Sequence, residues 1–249
     1  MMRETRDLSL AMSGLDSALD VRGALARVRS AGFGWVQLDA SARSMRAREL
    51  DRSGRRGLAA LLRRLGLRAS GLDLWIPAGH FSPGDNLDRA VAAVGGAIGL
   101  AGDLGALGLE DIRVVSIETP GDIPGDVLGD LAHLARDRGV RIADHRLDDD
   151  VLDCGVDPAR ILADGGDPAE ILLRMDQRVA SCRLSDVSGG ARILPLIEGG
   201  TLDVGCYRSA MERVGYQRAV VLDLAHVRGG LEGAPGVLRA WAMGERAGR

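Results

Sequence analysis

Short apolar, β-favouring runs alternate along the chain with longer stretches whose apolar positions recur at helical spacing. Eight runs read as strands: Leu8 to Met12, Trp35 to Leu38, Arg68 to Leu74, Ile112 to Ile117, Val140 to Ala143, Leu152 to Val156, Val179 to Leu184 and Ala219 to Leu224. Between them, Val21, Leu25 and Val28, then Leu58, Leu61, Leu62 and Leu65, then Leu87, Val91, Val94, Ile98 and Ala101, then Val127, Leu128, Leu131 and Leu134 each draw an apolar stripe down a helix. Gly32, Gly66, Gly139 and Gly215 stand where such a stretch ends and a strand begins, the place of a left-handed residue that closes a helix. The repeated helix, glycine, strand phrase predicts βα units and a parallel sheet.

One interval departs from the phrase. A parallel crossover through a helix takes a dozen or more residues, and only Asp144 to Val151 separate the fifth strand from the sixth. The helix between strands 5 and 6 is therefore expected to be missing or shortened, and this acidic stretch reads as an exposed loop. The 249 residues suit one (β/α)8 TIM barrel, an α/β fold of about 250 residues, so 1–249 is read as a single domain.

Composition narrows the function classes. Hydrophobic residues make up 46% and charged residues 27%, with no apolar run of about 20 residues to span a bilayer. Met1 to Asp7 mixes basic and acidic residues and leads into an apolar stretch too short for a signal peptide, so the expected location is cytoplasmic. Cys154, Cys182 and Cys206 show no Cys-x-x-Cys spacing and are expected as free, buried thiols. All 32 basic residues are arginine. Without a lysine there is no Schiff base, no pyridoxal phosphate attachment and no P-loop, and a general base has to be Asp, Glu, His, Cys, Tyr or a bound hydroxide. A net charge of −3 and 3% aromatics supply neither the field nor the stacking platforms for nucleic acid.

Several segments carry a resemblance. Val156-Asp157-Pro158-Ala159-Arg160 leading to Gly166-Asp167-Pro168, Arg178-Val179-Ala180-Ser181-Cys182-Arg183-Leu184-Ser185-Asp186, Glu198-Gly199-Gly200-Thr201-Leu202-Asp203, and Gly215 to Leu224 are similar to strand six, strand seven, the Gly-rich loop and the last strand of the xylose isomerase-like TIM barrels. Gly32 to Asp39 and Ile98 to Gly105 resemble more generic phrases of the same superfamily. It includes sugar phosphate isomerases and epimerases. The resemblance implies a small sugar or polyol, possibly phosphorylated or acidic, at the C-terminal mouth of the barrel, and a homo-oligomer is compatible with it.

The same resemblance implies a divalent cation such as Mn, Co, Zn or Mg, held by Glu, Asp, His and Glu from strands five to eight. The matching positions here are Asp144, Asp157, Arg183 and Asp223, and Asp157 is the one unchanged ligand. Arg160 stands at another histidine position of the family. Arginine does not ligate cations and repels them. Two readings follow: Arg183 replaces the cation, its fork bonding to Asp157 or Asp223 and meeting a ligand's phosphate, carboxylate or carbonyl oxygen, or Arg183 and Arg160 belong to a buried or rim ion-pair network that holds the mouth together. Glu118, Asp144 and Asp223 are the candidate bases, with Arg183 or Arg160 polarising a carbonyl or holding an anionic group. His80, His145 and His226 follow strands three, five and eight at the catalytic face, as second acid/base groups, ligand contacts or a different metal site. Trp75, with Ile76, Pro77 and Phe81, forms a wall for a sugar ring or a cover for the mouth. An isomerase or epimerase and a non-catalytic, metal-independent binding protein both remain open.

Overall fold

The computed structural model describes residues 7–16, 18–82, 86–147, 150–197, 199–227 and 229–244. Asp148, Asp149 and Glu198, which belong to the acidic loop and the Gly-rich phrase, lie outside the described residues.

Eight strands close a parallel barrel: β1 (Leu8–Ala11), β2 (Trp35–Asp39), β3 (Arg68–Asp73), β4 (Val114–Ile117), β5 (Arg141–Asp144), β6 (Asp153–Val156), β7 (Val179–Leu184) and β10 (Val220–Leu222), with β10 between β7 and β1. The remaining strands, β8 (Asp186–Ser188) and β9 (Ala191–Ile193), form an antiparallel hairpin. Each expected strand is present within two residues of its expected ends. The largest differences fall at Ile112, which closes a 3-10 turn ahead of β4, and at the last strand, which stops at Leu222.

The helices are α1 (Val21–Ser30), α2 (Arg52–Leu65), α3 (Leu87–Ala106), α4 (Gly125–Asp137), α5 (Pro158–Ala163), α6 (Pro168–Met175), α7 (Val204–Arg213) and α8 (Gly230–Met243). Aspartates start three of them: Asp20, Asp51 and Asp203 accept from the backbone N–H three residues on, at 2.7, 2.7 and 2.9 Å. At their ends Gly32, Gly66, Gly139 and Gly215 have φ between 60° and 93°, which spares the Cβ penalty of a left-handed residue. The described residues between β5 and β6 contain no helix, so the barrel wall there is a loop.

One apolar core fills the space between barrel and helices, with Leu10, Leu25, Val36, Leu62, Leu72 and Ile98 fully buried. The inner face is polar and small. Ser9 of β1 meets Ser70 of β3 at 2.7 Å, and Gln37 of β2 donates to Ser116 of β4 at 3.2 Å. Both pairs join alternate strands, the layering expected inside an eight-stranded barrel. Cys154 and Cys182 are buried, but Cys206 is exposed, contrary to expectation, because the first turn of α7 faces outward there.

Candidate functional site

Arg183 is the last residue but one of β7, and its side chain points across the barrel. In the barrel order β3 lies diametrically opposite β7, yet the Arg183 Nη2 reaches Asp73 Oδ1 at the end of β3 at 2.9 Å. Its Nη1 lies 2.9 Å from Asp223 Oδ2, just past β10, and 3.7 Å from Asp157 Oδ2, just past β6. One planar fork thus ties together the ends of three other strands. Tyr207 of α7 holds the base of the side chain in place by donating to the Arg183 carbonyl at 3.0 Å.

A second arginine enters from outside the barrel. The β8–β9 hairpin places Arg192 so that Nη2 donates to Asp157 Oδ2 and Nη1 lies 3.0 Å from Asp223 Oδ2. Remaining oxygens are occupied from the backbone side: Ser185 Oγ donates to Asp157 Oδ1 at 2.5 Å and Ala225 N to Asp223 Oδ1 at 2.9 Å. Asp73, Asp157 and Asp223 are all more than nine-tenths buried. A buried carboxylate stays ionised only if paired, and three carboxylates against two guanidiniums leave the cluster with one net negative charge.

The carboxylates are not equivalent. Burial pushes Asp157 up, but Arg183, Arg192 and the Ser185 hydroxyl together outweigh it and hold the carboxyl at about 2. Asp73 goes the other way: burial raises it above the ordinary value, Arg183 only partly offsets that, and Asp223 adds repulsion. Burial lowers Arg183 less than Asp73, Asp223 and Asp157 raise it, so its charge is permanent.

His145 follows β5, 3% exposed, and among the described residues neither ring nitrogen finds a hydrogen-bond partner. Burial, then the charge of Arg183, keeps it well below the ordinary histidine range and therefore neutral. Its ring rests on Gly155 of β6, where a Cβ would lie 2.6 Å from Cε1 and Nε2. Arg183 Nε is likewise buried without a hydrogen-bond partner among the described residues. Unsatisfied buried donors and acceptors are rare enough to need an explanation.

The other sequence candidates fall elsewhere. Arg160 pairs with Glu118 at 2.6 Å and donates to the His145 carbonyl at 3.3 Å, forming a half-exposed pair at the rim. The carboxylate of Asp144 is taken up by Thr119 N and Oγ1 and by Arg146 N, so it fastens the loops after β4 and β5 instead of meeting Arg183. His226 is exposed in the turn after β10, with φ 65°. His80 and Trp75 line a separate groove of about 930 Å³ against α3, with Trp75 65% exposed. Phe81 is core, not wall. Asp73, at the end of β3, faces the mouth, and Asp39, at the end of β2, accepts from Ser41 N at 2.9 Å.

Sequence reasoning passed over Arg192. The signal was present: Ser188-Gly189-Gly190-Ala191 is a two-residue hairpin turn, and Gly189 and Gly190 have φ 55° and 78°. A hairpin directly after a barrel strand can only project over the mouth.

The donor set does not suit a divalent ion. Among the described residues no group of three or more His, Cys, Asp and Glu side chains is arranged to hold a metal. At the position resembling the family site, the inward oxygens of Asp157 and Asp223 face guanidinium nitrogens, whose positive charge repels a cation.

The sequence matches no family model and no curated protein. Solved structures do match the fold. A xylose isomerase domain protein from Planctomyces limnophilus superposes with a TM-score of 0.70 at 15% identity, covering 95% of this chain and 96% of that one. The chain has the xylose isomerase-like barrel fold. Another barrel of this type, from Alicyclobacillus acidocaldarius subsp. acidocaldarius, gives 0.67 at 16% identity, covering 95% and 98%. An IOLI protein with a binding zinc atom gives 0.69 at 14%, covering 96% and 97%. Within the xylose isomerase-like fold, these identities speak to architecture alone. No helix among the described residues is long and apolar enough to cross a membrane.

Proposed function

We propose that this chain, as one cytoplasmic barrel domain, binds a small sugar or polyol at the C-terminal mouth without a divalent cation. The observation that carries the reading is the Arg183 fork lying between Asp73 on one side and Asp157 and Asp223 on the other, with Arg192 closing the same two carboxylates. Two guanidiniums bring the same charge as a divalent ion and offer N–H donors to ligand oxygens in a fixed plane. His145 and Arg183 Nε add donors and an acceptor that have no hydrogen-bond partner among the described residues. One net negative charge on the cluster favours a neutral polyhydroxyl ligand over a phosphorylated or acidic one.

A second reading, isomerase or epimerase chemistry, is favoured by the opposite shifts of Asp73 and Asp157. One carboxyl kept easy to protonate and one kept ionised, on the same guanidinium, is the arrangement of an acid and a base. Arg183 polarises the ligand carbonyl in this scheme, and the two carboxyls move a proton beside it.

Calorimetry with neutral sugars and polyols, set against sugar phosphates and sugar acids, tests the first reading. Binding of a neutral member is expected to survive EDTA and to vanish in Arg183→Met; binding that needs added metal overturns it. Proton exchange into a bound sugar in D2O, followed by NMR, separates the two: incorporation beside the carbonyl supports the enzyme, and binding without incorporation supports the binding protein.

A further inference from the structure

The β8–β9 hairpin is clasped at both ends. Asp186, 1% exposed, accepts from Val187 N, Thr201 N and Leu202 N at 2.8, 2.9 and 2.9 Å. It does so against Gly200, where a Cβ would lie 2.2 Å from Asp186 Oδ2. After the hairpin, Leu194 fills the space beside Gly233 of α8, where a Cβ would lie 2.1 Å from Leu194 Cδ1. A hairpin held this way presents its one inward cation, Arg192, at a fixed place, and that place is between Asp157 Oδ2 and Asp223 Oδ2.

We infer that Arg192, delivered by the hairpin, works with Arg183 as a built-in dication that keeps divalent metal ions out of the mouth, so that removing the Arg192 charge turns the mouth into a divalent cation site. The inference rests on the metal-independent reading above. Taking away Arg192 leaves three carboxylates against Arg183 alone, a net charge of two negatives that matches one divalent ion. It also takes one of two cationic partners from Asp157 Oδ2 and Asp223 Oδ2, which a single fork had drawn together, while Arg183 still lies 3.7 and 2.9 Å from them. Oxygen donors of this kind suit Mn or Mg, and replacing Arg183 by histidine adds an imidazole donor.

The test is titration of wild type, Arg192→Ala and Arg183→His/Arg192→Ala with Mn2+, by calorimetry and thermal melting, with circular dichroism to verify folding. Wild type is expected to stay silent. Arg192→Ala is expected to bind about one Mn2+, its midpoint rising by roughly 5–10 °C at a hundredfold excess over Kd. EDTA is expected to reverse the rise, and a further Asp157→Asn to abolish it. If Arg192→Ala does not fold, Arg192→Gln, a shorter neutral side chain that still donates hydrogen bonds, takes its place. A folded neutral variant that ignores Mn2+, in both the single and the double form, overturns the role of Arg192 while leaving the metal-independent reading intact. Stoichiometric Mn2+ on wild type, lost with Asp157→Asn, overturns both.

Discussion

Replacing Arg183 by methionine probes the cluster most directly. Methionine keeps the length of the buried stem but removes both 2.9 Å contacts and leaves Asp73, Asp157 and Asp223 with Arg192 as the sole counter-ion. The Arg183 side chain is only 16% exposed, so water screens little of the loss. Removing one partner of a buried pair costs about 3–5 kcal/mol, which for a chain of this size lowers the melting midpoint by roughly 6–20 °C. The pH dependence identifies the cause. Without the guanidinium, Asp73 loses the charge that partly offsets its burial and sits further above its unfolded value, and a group raised in the folded state contributes stability that is present at low pH and lost as pH rises. Arg183→Met is therefore expected to gain stability as pH falls from 7 to 5, narrowing its gap from wild type. Urea unfolding at several pH values reads this out. A variant within about 0.5 kcal/mol of wild type, the range of an ordinary surface substitution, or a gap constant with pH, refutes the account of the cluster.

Other outcomes follow from the same geometry. Asp157, lowered from 3.8 to about 2, contributes about 2 kcal/mol that is whole above pH 4 and lost between pH 4 and 2; Asp157→Asn is expected to flatten the acid limb of urea-determined stability over that window. Gly155→Ala drives a methyl into the His145 ring, costing about 1–3 kcal/mol by overpacking and abolishing polyol binding measured calorimetrically at a temperature where the variant is folded. Gly190→Ala strains a turn residue at φ 78°, costing about 1–2 kcal/mol locally; amide exchange by mass spectrometry is expected to speed up at 187–193 and stay unchanged in β1 to β4.

Periodicity made the barrel legible. Strand runs and helix stripes repeat with glycines at fixed places, so each βα unit announces itself locally, and the short interval after β5 revealed its missing helix by arithmetic on length. Short elements escaped, because α5 and α6 are single or double turns started by Pro158 and Pro168, too brief to show a stripe. Within the site, Arg183, Asp157 and Asp223 were legible through the strand phrases. The pairing of Arg183 with Asp223 and Asp157 was legible too, but its bond to Asp73 was not: it joins residues 110 apart, and no local pattern records which strand ends face each other across a barrel. Asp144 illustrates the converse. Its position at the end of β5 suggested chemistry, yet its neighbour Thr119 claims the carboxylate for loop closure.

The bond from β7 to β3 also bears on how the molecule comes apart. It links the amino-terminal half of the barrel to the carboxy-terminal half, and closing so long a loop is entropically costly early in folding. A contact that forms after the transition state leaves the folding rate almost untouched and sets the rate of unfolding. Arg183 is thus placed as a kinetic latch: in stopped-flow chevrons its loss is expected to steepen the release of the native state while refolding proceeds at nearly its original pace.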